Sequence, residues 1–158
     1  MKILMSVIIV GFMAVAGLSL FMNAARADLK TEKLEIVTKD GKKHSFDVEI
    51  AATPTDQEVG LMFRTKMDPD HGMLFEMEKN QVTNFWMKNT LIPLDMLFVA
   101  KDGTIKTIHA NAIPKDLTGI SSEVPVTGVI ELNGGRAQAL GIAVGDKVVH
   151  AYFGTAAK

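Results

Sequence analysis

The sequence predicts a mainly β domain, α+β at the margin: a compact antiparallel β-sandwich or partly open barrel with two short helices. Three observations predict it. Short segments with apolar residues at every second position recur along the chain. Two Asp-Gly pairs, Asp40-Gly41 and Asp102-Gly103, lie between such segments as hairpin turns. No repeated alternation of strand and helix points to a parallel sheet.

Residues 28–33 read as a polar lead-in. Residues 34–38 have strand character, and 43–50 place Phe46, Val48 and Ile50 on one side. Asp40-Gly41 joins the two, because glycine accepts the positive φ of a tight turn. A helix follows. Thr55 and Glu58 fit a capping box, and Thr53 with Pro54 in the first helical position serves equally well. Val59, Met62 and Phe63 then share one helical face, and Arg64 ends the helix. Residues 73–77 and 82–87 read as strands, and 96–99 and 104–108 as a second hairpin. The stretch 114–125 has proline at both ends and reads as an exposed loop. A strand over 126–132 leads to a short helix from Arg136 to Leu140, with Asn133 as its N-cap and Gly141 at its end. The last strand is expected over 147–153.

All of this lies behind a leader. Met1-Lys2, an apolar run over 3–22, and small residues at Ala25 and Ala27 match a secretory signal with an A-x-A cleavage site. The expected division is therefore 1–27 as signal peptide and 28–158 as one β-rich domain, periplasmic or secreted. The rival reading is a membrane anchor formed by 3–22, since a run of 20 residues is just long enough to span a bilayer. No cysteine follows the run, which excludes a lipid anchor on cysteine, and the domain must hold itself together by burial without disulfides. Thiol catalysis and cysteine metal sites are excluded with it. Lys2 and Arg26 fall in the leader, leaving 15 basic and 18 acidic residues, a net charge of −3 with histidine neutral. That balance, without a basic stripe, offers nothing to a nucleic acid.

The densest chemistry is Phe85-Trp86-Met87-Lys88-Asn89-Thr90, closed by Pro93-Leu94-Asp95. In an extended segment Trp86 and Lys88 share one face, and Phe85 and Met87 the other. An aromatic platform beside a cation and an amide suits a small polar or anionic ligand, or a stacked sugar. The plain structural alternative is a half-buried tryptophan with Lys88 draped over it and Asn89 shaping a turn. Charges inside apolar runs form a second set: Arg64, Asp95 and Glu131. A buried carboxylate needs a partner, and Arg64 pairing with Glu131 or Asp95 is the simplest expectation. The catalytic alternative joins Asp95 and Glu131 as a general acid/base pair.

Asp68-Pro69-Asp70-His71 lacks the spacing of a metal site, and His44, His109 and His150 are scattered. Met62, Met67, Met73, Met77, Met87 and Met96 form no M-x-M or M-x-x-M tract, so core filling is expected rather than copper binding. No metal and no cofactor is implied. There is no P-loop, dinucleotide fingerprint, serine elbow or zinc helix. Gly134-Gly135 could seat an anion at the following helix, though a glycine turn explains it more simply.

Taken together, Gly60-Leu61-Met62-Phe63-Arg64, Gly72-Met73-Leu74-Phe75, the Phe85–Thr90 run, Pro93-Leu94-Asp95, Leu140-Gly141-Ile142 and Val144-Gly145-Asp146 resemble a widespread prokaryotic family. It is known only as domain of unknown function number 192. The resemblance spans about 33–153. It implies a β-rich, sandwich-like fold that often follows an export signal, and no established activity, substrate or cofactor. It places Arg64, Trp86, Lys88, Asn89 and Asp95 within the family's motifs.

Three functions compete. The leading one is an exported module binding a small polar or anionic ligand through Arg64, Trp86, Lys88 and Asn89, with Asp95 and Glu131 as further candidate site residues. The second is an envelope hydrolase or isomerase using Asp95 and Glu131, and the third a structural or protein-interaction domain. No nucleic-acid partner is expected, and contact with a membrane only through an uncleaved leader.

Overall fold

Strands β1 (Thr31–Val37) and β2 (Lys43–Ala51) form the first hairpin, joined as expected at Asp40-Gly41. Gly41 takes φ +83 there, and its N–H donates to the Thr38 carbonyl at 2.8 Å. The computed structural model describes residues 29–156, so the expected signal over 1–27 and the alternative anchor over 3–22 lie outside the described residues. Among the described residues no helix is long and apolar enough to cross a membrane.

After β2 come helix α1 (Pro54–Val59), β3 (His71–Gln81), the short β4 (Asn84–Phe85), β5 (Leu94–Val99) and β6 (Ile105–Ala112). They are followed by β7 (Ile120–Ser121), β8 (Val126–Asn133), helix α2 (Arg136–Leu140) and β9 (Lys147–Val149). The fold is mainly β, as the alternation predicts. Seven strands make one sheet in the order β6-β5-β8-β3-β2-β1-β9, and β4 and β7 make a small second one.

The large sheet curls into a half-barrel whose edge strands approach each other at one end. Thr104 bridges Lys147, and Val148 N–H donates to Gly103 O at 2.8 Å. Gly103 makes that approach possible: a Cβ there would sit 2.5 Å from the Val148 carbonyl oxygen, and its φ is +77. Inside the curl, Leu34, Ile36, Phe46, Val48, Leu97 and Ile130 form one buried cluster, with Ala137 of α2 packed among them. The outer face of the central strands carries a second cluster, including Met73, Phe75, Met96, Phe98 and Val129. All six residues of β5 are buried because both of its faces are covered.

Several expectations need correction. The sheet is not wholly antiparallel: β2 and β3 run parallel, connected through α1. A single crossover leaves no repeated strand–helix pattern, so nothing in the sequence announces it. Thr53 caps α1, with Pro54 at the first position and Asp56, not Glu58, completing the capping box. The helix ends at Val59, so Met62, Phe63 and Arg64 lie in the turn beyond it. Only Asn84 and Phe85 of the expected 82–87 strand are paired, and their partner β7 lies within the stretch read as an exposed loop. Ile120 and Ser122 are buried there. The expected 147–153 strand stops at Val149 and gives way to a 3-10 turn over Ala151–Phe153. Asn133 does not cap α2: its amide donates to the Met67 and Asp68 carbonyls instead.

Candidate functional site

The outer face of the sheet is roofed by two chain segments, and a groove of about 310 Å³ runs between them. One wall is α1 and the turn that follows it. Gln57 anchors this wall, its side-chain amide donating to Ala51 O at 3.2 Å and Glu76 O at 2.8 Å. Gly60 then brings the turn down onto the sheet, where a Cβ would lie 3.2 Å from the Phe75 ring. The other wall is the 83–90 segment with Thr83, Asn84, Phe85, Trp86, Lys88 and Thr90.

Side-chain alternation orients this second wall. Phe85 packs inward, edge-on to Phe75 at 4.9 Å and to Phe98 at 6.1 Å between ring centroids. Met87 is fully buried. Trp86 therefore faces outward and is 49% exposed at the mouth of the groove. Lys88 follows on the same side, its Nζ 5.0 Å from the indole centroid. Such a cation–π contact contributes about 0.5–1 kcal/mol at an exposed position.

The segment is pinned from both flanks. Met87 N–H donates to Asp116 O at 2.9 Å, and Lys115 N–H reaches the Met87 and Thr90 carbonyls, each at 3.1 Å. Phe63 N–H donates to Asn89 O at 2.8 Å, which ties the two walls together. Phe63, Asn89 and Lys115 all have positive φ, at 63°, 55° and 64°. Strained backbone of this kind persists only where its surroundings over-determine it, and it concentrates at functional sites.

Glu131 of β8 lines the groove from below and is only 4% exposed. Its cross-strand neighbours are Met73 and Met96, and among the described residues its Oε2 has no hydrogen-bond partner. Burial alone pushes its carboxyl up to about 8, so it holds its proton at neutral pH.

Arg64 does not pair with Glu131 or Asp95. Its Nη2 lies 2.5 Å from Oε2 of Glu49 on β2, and both side chains are largely buried. Asn89 stands beside the groove and shapes its wall, with its Nδ2 3.8 Å from Met62 Sδ. Asp95 is elsewhere. It lies opposite Leu132 in the β5–β8 register, whereas Glu131 lies opposite Met96. The two carboxyl groups therefore leave the sheet on opposite faces. Asp95 accepts backbone N–H groups from Asn111 (2.8 Å), Gly135 (2.9 Å) and Ala137 (2.8 Å). The chain's own carboxylate thus fills the α2 start, where the sequence left room for an external anion.

The structure brings together Trp86, Lys88 and Glu131; Arg64 and Asn89 brace the site, and Asp95 does not reach it. Sequence reasoning missed Gln57, Gly60, Thr83 and Asn84. The Gly60-Leu61-Met62-Phe63-Arg64 string marked their neighbourhood, but only the parallel crossover sets α1 over Glu131. Among the described residues no group of three or more histidine and acidic side chains is placed to hold a metal. Met73, Met87 and Met96 are core filling, buried in the outer cluster.

Residues 35–150 match the family described as DUF192, Uncharacterized ACR. The chain belongs to the DUF192 family. No curated protein matches it. The fold is similar to the crystal structure of a "putative transcription regulator" from Sinorhizobium meliloti 1021, with TM-score 0.77 and 46% identity, over 78% of this chain and 96% of that one. It is also similar to a protein of unknown function from Novosphingobium aromaticivorans DSM 12444, with TM-score 0.73 and 42% identity, over 76% of this chain and 85% of that one. The DUF192 match contains every residue of the groove, from Pro54 to Glu131. Within it the motif residues divide by role: Trp86 and Lys88 line the groove, Arg64 and Asn89 hold its walls, and Asp95 secures α2.

Proposed function

We propose that this DUF192 domain is an exported binding module that takes a small polar ligand in the groove between the Gly60 turn and the Trp86 segment. One observation carries the reading. A half-exposed tryptophan and a lysine stand at the mouth of a groove whose floor is an unpartnered, buried carboxyl group. A lone exposed apolar side chain is ordinary on a protein surface, but this one stands at the mouth of a groove floored by a buried carboxyl without a partner among the described residues, and buried polar groups are normally paired. Of the five non-glycine residues with positive φ among the described residues, Phe63, Asn89 and Lys115 make backbone hydrogen bonds that hold the groove's walls. The volume is at the small end of ligand sites.

Export rests on the leader over 1–27, with residence in the periplasm or outside the cell after cleavage. An intact mass beginning at Asp28 supports it, and one beginning at Met1 favours the anchored alternative. The regulator description of the Sinorhizobium relative fits this domain poorly, because a net charge of −3 without a basic stripe gives no purchase on DNA. An enzyme pairing Asp95 with Glu131 is disfavoured by their opposite faces.

Trp86 is the only tryptophan in the chain, so its emission reports on the site directly. Titration with sugars, organic acids, amines and short peptides should yield at least one compound that changes the emission and raises Tm. Trp86→Ala should abolish the stabilisation. A panel with no response, or stabilisation that persists in Trp86→Ala, overturns the proposal and favours a purely structural domain.

A further inference from the structure

The floor of the groove has a chemistry that its mouth does not reveal. Glu131 is buried between Met73 and Met96, and the groove above it is mixed: Leu61, Met62, Phe75, Met77 and Phe85 give it apolar surface, and Gln57, Thr83, Asn84 and Thr90 polar surface. A neutral polyol would gain only neutral hydrogen bonds from the acid, and any hydroxyl turned toward Phe75, Met77 or Phe85 would be left unpaired. An anion would be desolvated at the floor with only the single O–H of the neutral acid to meet it. A cation on an apolar stem meets neither cost. It converts the acid to a carboxylate, forms a charge-assisted hydrogen bond, and leaves its methylenes against apolar walls. The mouth already accommodates such a group, since the Lys88 ammonium lies over the Trp86 ring.

We infer that the groove receives a primary amine or guanidinium borne on an apolar stem, the cation seated on Glu131 and the stem against Phe75, Met77 and Phe85. This rests on the binding reading above and names its ligand class. Binding releases the Glu131 proton to solvent, so affinity is linked to pH. Glu58 on the α1 side and Lys88 on the opposite wall line the same groove. In the cross-strand row of Glu131, Glu49 lies beyond Met73 and is paired with Arg64, and His109 lies beyond Met96.

The test is a Trp86 fluorescence titration with n-pentylamine, pentan-1-ol and pentanoate, which share one stem. Acetylated Gly-Lys-Gly-amide and its norleucine counterpart provide a peptide arm. At pH 8.5 pentylamine or the lysine peptide should bind at least ~10-fold more tightly than its neutral and anionic counterparts. Affinity should fall on the order of 100-fold from pH 8.5 to pH 6, over which an alkyl amine stays charged. That slope should survive in Glu58→Gln and in His109→Gln. Glu131→Gln should remove both the preference and the slope, and Glu131→Met provides a second variant in case the first folds poorly. Binding of the peptide alone identifies a protein side chain as the source, and binding of pentylamine alone a free amine; either supports the inference. Equal or tighter binding of pentanol or pentanoate, or a preference that survives in Glu131→Gln, overturns the ligand class while the binding site stands. Silence of Trp86 towards this series and the wider panel overturns the binding reading itself.

Discussion

Asp95 and Glu131 sit one step apart in register on neighbouring strands, yet their side chains emerge on opposite faces of the sheet. The consequence is a division of labour. Asp95 lies on the face lined by Leu97 and Leu132 and is fully hydrogen-bonded to backbone amides. Glu131 lies on the face lined by Met73 and Met96 and has only burial around its carboxyl. The satisfied acid stabilises the fold, and the unsatisfied acid is available to a ligand.

Removing Asp95 is therefore expected to be severe. Asp95→Ala leaves three backbone N–H groups without their acceptor, one of them at the first turn of α2. Each unsatisfied buried donor costs about 1–3 kcal/mol, so a loss of about 3–5 kcal/mol is expected. Asp95→Asn keeps the shape but replaces one acceptor oxygen with a donor, and should lose about 2–3 kcal/mol. Urea unfolding measures both. A loss below about 1 kcal/mol in Asp95→Ala would contradict the assignment.

Glu131 should make the protein less stable as pH rises. Its carboxyl stands at about 8 in the folded state against an ordinary 4.5. Between those values the folded state holds a proton that the unfolded state has lost, so unfolding is favoured by raising pH. The loss begins above about pH 4.5, levels off above about pH 8, and amounts to about 5 kcal/mol at most. Glu76, raised by partial burial, contributes with the same sign. The comparison that isolates Glu131 is wild type against Glu131→Gln in urea at pH 5, 7 and 9. The variant should be the more stable protein at pH 9 and lose that advantage at pH 5.

What the sequence revealed follows the range of the forces involved. Asp40-Gly41 and Asp102-Gly103 were readable as turns because the backbone requirement is local, and Phe46, Val48 and Ile50 announced a buried face by spacing alone. The outward pairing of Trp86 with Lys88 was readable too, since alternation holds even though only Asn84 and Phe85 are paired as strand. Glu131 was recognisable as a carboxyl group inside an apolar run. Its lack of a partner was not, because that depends on where Arg64 goes. Arg64 goes to Glu49, which looks like an ordinary solvent-facing residue of β2 until the parallel crossover brings the turn after α1 over it. A six-residue helix leaves too weak a signal to disclose that crossover.

The Arg64–Glu49 pair should behave as a bracing contact. Both partners are mostly buried, so removing either leaves the other charge poorly solvated. Arg64→Ala and Glu49→Ala should each destabilise by about 2–3 kcal/mol, with a coupling of about 1–3 kcal/mol in a double-mutant cycle. Because the pair holds the turn that carries Gly60 and Leu61, the double variant should also weaken any ligand that Trp86 reports. Additive single effects would show that the two side chains act independently.

Phe63 offers a test in which an ordinary rule should invert. In most positions alanine is more stabilising than glycine by about 0.4–1 kcal/mol, because glycine has more unfolded freedom to lose. Phe63 has φ +63, and the residue is 43% exposed, so truncation costs little packing while the backbone strain remains. Glycine relieves that strain and alanine does not. Phe63→Gly should therefore be more stable than Phe63→Ala by about 1 kcal/mol. The Phe63 N–H bond to Asn89 O should survive in the glycine variant and keep Trp86 in place. The two variants are compared by urea unfolding and by the Trp86 emission maximum. Alanine proving the more stable of the two would show that the turn relaxes once the ring is gone, and that Phe63 itself imposes the conformation.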